Sequence, residues 1–408
     1  MASSRPVLTT PVLLLMAVAT GLCVGGNYFN QPLLDSIAEA LDTSRSAAAS
    51  TVTVAQVAYA LGLLFLVPLG DMFPQRRLAV MLMLAAAAGQ GLSGFAPNIG
   101  VLVVGTAVAG LFSVAAQVLV PFAATLATPE SRGRAVGTVM SGLLVGILVA
   151  RSVAGILAEL GDSWTTVYRV SAVAMVIVAL ALWRVLPATP PVVRQGYGST
   201  LRSLGTLIVT HPRLRTRTLL GGLGFASVGA LFSTMAFLLS DPPFGLDDLQ
   251  IGLVGLAGVA GAFAATAAGR LVDRGYGPPT TAVGVFTLIA SWAALAAGAS
   301  SLVWFVVGML VVDLALNLVH ITNQNIVYAL DPEARSRVNS VYMTGYFIGA
   351  ASGSALGTMA WSAGGWTAVC VLGVGLAALA GVVWALDLRL AARMRARSAT
   401  ATGGPAAA

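Results

Sequence analysis

About twelve stretches of this 408-residue chain stay apolar for the length of a membrane-crossing helix. They fall near 9–30, 48–70, 78–96, 99–125, 135–158, 166–186, 218–240, 250–271, 279–298, 302–329, 338–361 and 366–386. Lipid offers no hydrogen bonds, so a chain crosses it only as a helix or a closed barrel. Barrel strands need only about 9–11 residues, whereas a helix needs about 20. The expected fold class is therefore an all-α membrane protein of about twelve transmembrane helices. An even count puts both termini on one side.

The charge supports this and sets the orientation. Only 9% of residues are charged and 57% are hydrophobic, against about 25% charged in soluble domains. Arg76, Arg77, Arg132, Arg134, Arg194, Arg202, Arg213, Arg215, Arg217, Arg270, Arg274, Arg335 and Arg337 sit in loops on the same face as Arg5 and the tail arginines. The opposite face has mainly Arg45 and Arg169, with Glu39, Asp42, Glu159, Asp162, Asp241, Asp247 and Asp248. Basic loops stay inside, so both termini are expected in the cytoplasm of a cell membrane crossed many times. The net charge of +7 thus reflects topology rather than a nucleic-acid surface. All 22 basic residues are arginine. Without lysine there is no phosphate-binding Gly-Lys-Ser/Thr loop and no Schiff base, so ATP is not the expected fuel. Cys23 and Cys370 lie within apolar runs and read as inert buried thiols. The first apolar run lacks a small-residue cleavage site and reads as a span. No cofactor and no metal are expected, and the protein is expected to act as a monomer.

The longest polar loop, 187–217, divides the spans six and six. The expected organisation is a six-helix bundle over 1–186, a cytoplasmic linker over 187–217, a second bundle over 218–388 and a cytoplasmic tail over 389–408. The halves are alike: TPESRGRAVGTVMSG at 128–142 matches DPEARSRVNSVYMTG at 331–345, and the stretch around Asp71 matches that around Asp273 at a similar offset. Two such pseudo-repeats are a transporter architecture.

On these residues the whole chain resembles the major facilitator superfamily. That family's loop signature between spans two and three is G-x-L-x-D-R-x-G-R-R. This chain keeps Leu69, Asp71 and Arg76, with Arg77 one place on, and departs at Val67, Met72, Pro74 and Gln75. The second copy keeps Gly269, Leu271, Asp273 and Arg274. Such charges can meet helix ends or each other and hold a cytoplasmic gate. They can equally serve topology alone.

Polar groups inside lipid are expensive and usually functional. The tenth run reads VVDLALNLVHITNQNIVY. Asp313, Asn317, His320 and Gln324 recur at i, i+4, i+7 and i+11, one stripe of a helix. The resemblance implies that the first, fourth, seventh and tenth helices line a central cavity. Asp313 is the acid at membrane depth; it, or His320, is the expected carrier of a coupling proton. The first span ends with Asn27, Tyr28, Asn30 and Gln31 around Gly25, Gly26 and Pro32, which can loosen a helix. Gln56 and Tyr59, Ser113 and Gln117, and Asn339, Tyr342 and Tyr346 share helix faces as well. Amides with aromatics suit an organic ligand bearing some polar groups, and equally suit interfacial packing.

Arg151 stands inside the fifth apolar run, roughly 12 Å in from its acidic end. Placing it at mid-membrane costs about 2.5–3.5 kcal/mol on insertion scales, so it needs a partner or a wet cavity. The family's antiporters resemble one another here through G-x8-G-x3-G-P-x3-G-G. Gly137, Gly146 and Gly155 are in place, but Ala150-Arg151 replaces the Gly-Pro pair. The fourth-span arginine of R-x-x-x-G, which belongs to antiporter proton chemistry, is Thr106 ahead of Gly110. Asp313 is expected at a similar depth, and the two could pair across the halves in one conformation; the alternative is an anionic substrate held by Arg151.

The expected function is alternating-access transport of a small organic molecule, with proton-coupled export ahead of uptake or exchange of an organic anion. A receptor would need a signalling domain and an enzyme a catalytic grouping, and the sequence offers neither.

Overall fold

A computed structural model describes residues 8–128, 131–188, 196–255, 277–331 and 335–402, all in helices and the turns between them. The helices form where the apolar runs are continuous and start at residues that can cap them. They are α1 (Thr10–Gly25), α2 (Leu34–Ala40), α3 (Arg45–Phe65), α4 (Gln75–Gly94), α5 (Ile99–Phe112), α6 (Ala115–Leu126), α7 (Arg132–Leu160) and α8 (Thr166–Val185). There follow α9 (Tyr197–Thr210), α10 (Pro212–Ser240), α11 (Asp248–Val254), α12 (Gly277–Ala297), α13 (Leu302–Leu330) and α14 (Arg335–Thr402). Ser44 accepts from the Ala47 amide ahead of α3, and Asn98 from the Val101 amide ahead of α5. Asp247 and Gln250 form a reciprocal capping box on α11. Each cap satisfies amides that a helix leaves unpaired at its start.

Among the described residues eight helices are long and apolar enough to cross a membrane, or nine when the 47° bend in α7 is counted within one span. α14 is one of the eight but folds as two runs, because Gly364 and Gly365 leave the helical region and Gly365 takes φ +59°. That left-handed conformation is one glycine adopts without strain. The exterior is apolar: Leu14, Met81, Val173, Ile177, Phe286 and Val371 are all exposed. Exposed apolar residues spread over several helices suit lipid as the surrounding solvent.

Two differences from the sequence reading concern boundaries. The segment 187–217 contains a helix, α9, whose Leu204 and Leu207 are buried. The next helix begins at Pro212, so Arg213, Arg215 and Arg217 belong to its first turns rather than to a loop. Proline at N1 starts a helix well, since it lacks only an amide that would be unpaired anyway. Beyond 389, α14 simply continues to Thr402.

Small residues set the closest contacts. α1 and α7 meet at Gly21, Gly142 and Gly146, where a Cβ on Gly21 would lie 2.7 Å from the Gly142 carbonyl oxygen. About two hundred residues later the same contact recurs between α10 and α14, at Gly222, Gly345 and Gly349. Backbones this close gain dispersion contacts that larger side chains would prevent. The repetition places α10 and α14 as the counterparts of α1 and α7.

Candidate functional site

Between the N-terminal and C-terminal halves of the chain lies a cavity of about 640 Å³. Its wall includes Val24 of α1 and Tyr28 just after it, Tyr59 and Leu63 of α3, and Gln117, Val120 and Pro121 of α6. α7 supplies Val136, Met140, Leu143, Ile147 and Arg151. From the other half come Phe225, Val228 and Phe232 of α10, with Met343, Tyr346 and Phe347 of α14. α13 contributes Asp313, Leu316, Asn317, His320, Ile321, Gln324 and Tyr328. The stripe read from the tenth run therefore faces this cavity along about three helical turns.

The lining residues show how the cavity is oriented. On α7 they run from Arg151 back toward the helix start, and on α13 from Asp313 forward toward the helix end. Among the described residues of these two helices none lines the cavity beyond them on the Arg45 side. There the two halves touch instead. The Ser152 hydroxyl donates to the Gly252 carbonyl at 2.8 Å, and Gly155 packs on the Asp248 backbone. The Ser36 hydroxyl donates to Asp248. Arg45 donates to Asp35 at 2.6 and 3.0 Å and to Asp241 at 2.7 and 2.8 Å, joining the halves through one guanidinium. The cavity is thus blind at the Arg45 end, with Arg151 and Asp313 at its head.

Arg151 is 4% exposed. Its Nε donates to Gln31 Oε1 at 2.6 Å, and its guanidinium lies 3.7 Å from the Phe232 ring centre and 5.2 Å from that of Tyr28. Gln31 is placed by the short helical turn Gln31–Leu33 that follows α1. The ion pairs of 4.0 Å or less among the described residues are Arg45–Asp35, Arg45–Asp241, Arg213–Asp387 and Arg217–Asp387. Arg151 and Asp313 share the cavity without such a contact. Asn317 donates to the Asp313 backbone carbonyl, and the Asp313 carboxylate itself has no hydrogen-bond partner among the described residues.

Aromatic groups form one wall. His320 Nδ1 and the Tyr342 hydroxyl share a hydrogen bond of 3.0 Å, and the His320 ring lies 4.5 Å from that of Tyr346. Tyr346 stacks on Phe225 at 4.3 Å, and Phe347 meets Tyr59 across the halves at 4.5 Å. Gln117 donates to the Tyr59 hydroxyl at 3.3 Å.

Several expected residues lie elsewhere. Tyr342 is fully buried behind His320, and Gln56 is buried outside the lining. Asn27 and Asn30 turn away into a separate small recess with Gln90, Ser93, Thr106 and Tyr168. Asn30 donates there to Thr51 at 3.0 Å. Thr106 thus brings a hydroxyl to a neutral polar recess where the antiporter pattern has an arginine. Arg76 stays within the first half, donating to the Leu186 carbonyl at 2.9 Å over the Trp183 ring, and Arg77 is exposed. Gly137 has open space around it, whereas Gly146 and Gly155 are close-packed. Asp273 and Arg274 lie outside the described residues, as does the Asp71 side chain.

Three features escaped the sequence reading. Phe232, against which Arg151 lies, is one apolar residue in an apolar run and carries no signal. Arg45 carried one, as an arginine on the acidic face. The third is a buried charge cluster: Arg217 donates to Asp387 and, at 3.1 Å, to Asn323. The sequence reading placed Arg217 in a loop and singled out nothing at Asp387.

Helices that line a central cavity with charges at its blind head make a membrane carrier rather than an enzyme. The chain belongs to the Major Facilitator Superfamily, whose family model matches residues 16–333 and again 244–407. It is 49% identical over 377 residues to a protein of Escherichia coli O157:H7 described as the uncharacterized transporter YgaY, covering 92% of this chain and 95% of that one. It is 28% identical over 286 residues to a chloramphenicol resistance protein of Streptomyces lividans, covering 70% of this chain and 72% of that one. A crystal structure of a mutant of the nucleoside transporter NupG superposes with a TM-score of 0.76 at 14% identity, covering 92% of this chain and 99% of that one. The protein is a multi-pass membrane transporter of a small molecule.

Proposed function

We propose that this transporter exports a small organic molecule from the cytoplasm in exchange for protons. It does so as a monomeric twelve-span carrier of the cell membrane with both termini inside. Its halves are 1–186 and 218–388, joined by 187–217 and followed by the tail 389–408. The observation that carries the reading is the Asp313 carboxylate, unpaired at the blind head of the cavity. A carboxylate there can hold either a proton or the interaction with substrate. Competition between the two is what couples their opposite movements. The Arg45–Asp35–Asp241 contacts form the outer closure, and rocking the halves to break them opens the same site outward. Export rests further on the likeness to the chloramphenicol resistance protein. The second reading, uptake or exchange of an organic anion, is favoured by Arg151 at the same head.

The test is flux in proteoliposomes holding a pH-sensitive dye, with chloramphenicol among the probes. Wild-type protein should release lumenal protons when a transported probe is driven against them. Asp313→Asn should lose proton movement, and any substrate flux that remains should ignore the pH gradient. Proton movement by Asp313→Asn equal to wild type, or wild-type flux that ignores the pH gradient, refutes proton coupling through Asp313.

A further inference from the structure

The two charges at the cavity head have opposite signs and come from opposite halves of the chain. They are not paired with each other. Arg151 is held back by its Nε bond to Gln31 and by the Phe232 face, which leaves the two terminal nitrogens of its guanidinium without a hydrogen-bond partner among the described residues. The Asp313 carboxylate is equally without one, and both residues line the cavity. Asp313 is also the carboxylate whose charge acts on Arg151.

An occupant of one charge would satisfy one side and leave the other unmet. An anion on Arg151 would face Asp313 with like charge, and a cation on Asp313 would face Arg151. A neutral molecule would displace water from both charges and pair with neither. Buried charges without partners are costly, whereas two N–H groups offered by arginine suit a carboxylate in a bidentate contact. The wall that α10 and α14 contribute is apolar and aromatic, through Phe225, Phe232, Tyr346 and Phe347, while α13 adds Asn317 and His320.

We propose that the carried molecule is a zwitterion with a carboxylate for Arg151, an ammonium for Asp313 and an apolar or aromatic body for the α10–α14 wall. Amino acids with aromatic side chains, and molecules built like them, have this chemistry. The proposal rests on the transport reading above and sharpens it: the ammonium group and the coupling proton compete for the same carboxylate.

Four probes that share a phenyl group separate the charges. L-phenylalanine is the zwitterion, 2-phenylethylamine a cation, N-acetyl-L-phenylalanine an anion and N-acetyl-L-phenylalanine amide neutral. Binding to the full-length protein in detergent is measured by calorimetry at neutral pH. The zwitterion should bind at least about tenfold tighter than each of the others, the worth of one charge-assisted contact. Arg151→Gln should erase the preference for the zwitterion over the cation. Asp313→Asn should erase its preference over the anion. A zwitterion that fails to bind, or binds no better than a singly charged or neutral probe, overturns the proposal on wild-type protein alone, however the variants fold. If chloramphenicol still moves protons in that case, only the zwitterion falls. If L-phenylalanine binds as stated but is never carried, the transport reading falls instead.

Discussion

Asp387→Asn should destabilise the protein by about 3 kcal/mol, although Asp387 does not line the cavity. Asp387 is 0% and Arg217 2% exposed. The carboxylate accepts from Arg217, from Arg213 at 3.1 Å and from the Thr216 hydroxyl, while Arg217 also donates to Asn323. Removing one partner of a buried ion pair costs about 3–5 kcal/mol, because the remaining charge is left unmet. The lower end applies here. Asparagine keeps an acceptor for Thr216, and the Arg213 side chain is 23% exposed, so water reaches it. The assay is denaturant unfolding of purified protein in detergent, followed by tryptophan fluorescence. The double substitution Arg217→Met with Asp387→Leu should recover most of the loss, since an apolar pair of similar volume is often as stable as a buried ion pair. A cost below about 1 kcal/mol for Asp387→Asn, the level of a solvated surface pair, refutes the account. So does a double substitution as damaging as the single one.

Other outcomes follow from the same geometry. Arg45→Ala removes a partly exposed network worth about 1 kcal/mol, so it should raise the outward-open population roughly fivefold; external labelling of Asn317→Cys in a Cys23→Ala, Cys370→Ala background reads this, and unchanged labelling contradicts an outer closure at Arg45. Gly146→Leu and Gly349→Leu should abolish accumulation of folded protein, because each meets a neighbouring backbone, while Gly196→Leu and Gly198→Leu, which face open space, should behave as wild type in size-exclusion yield. Burial pushes the Asp248 carboxyl above its ordinary value, against the opposing effect of the Ser36 hydrogen bond. An acid raised in the folded state loses stability as pH climbs through that raised value; Asp248→Asn should therefore raise the thermal midpoint at neutral pH and leave it unchanged in acid, and a midpoint that falls at neutral pH counts against this sign.

The cavity was legible in part because helical spacing is a local property. Asp313, Asn317, His320 and Gln324 must share a face of any helix that contains them, and such a face in an apolar run has to meet polar groups or water. The same reasoning singled out Tyr59 and Gln117 on separate helices, and the structure brings the two together. It failed for Asn27 and Asn30, because the chain leaves helical geometry after Gly25 and spacing no longer fixes direction. It failed for Arg217 because a span end defined by hydropathy stops at the first charge, even when that charge is buried against another.

The sequence by itself determined that this chain crosses a membrane many times, that its halves repeat, and that an arginine and an acid lie at membrane depth. These follow from run length, offset and periodicity, which need no knowledge of neighbours. Only the tertiary structure decided what surrounds the charges. Arg151 rests on Gln31 and Phe232 rather than on Asp313, and an arginine at the start of α3 joins the two halves beyond the cavity head. Partners of this kind are set by which helices approach and how closely, and that is fixed by glycine contacts between segments more than a hundred residues apart.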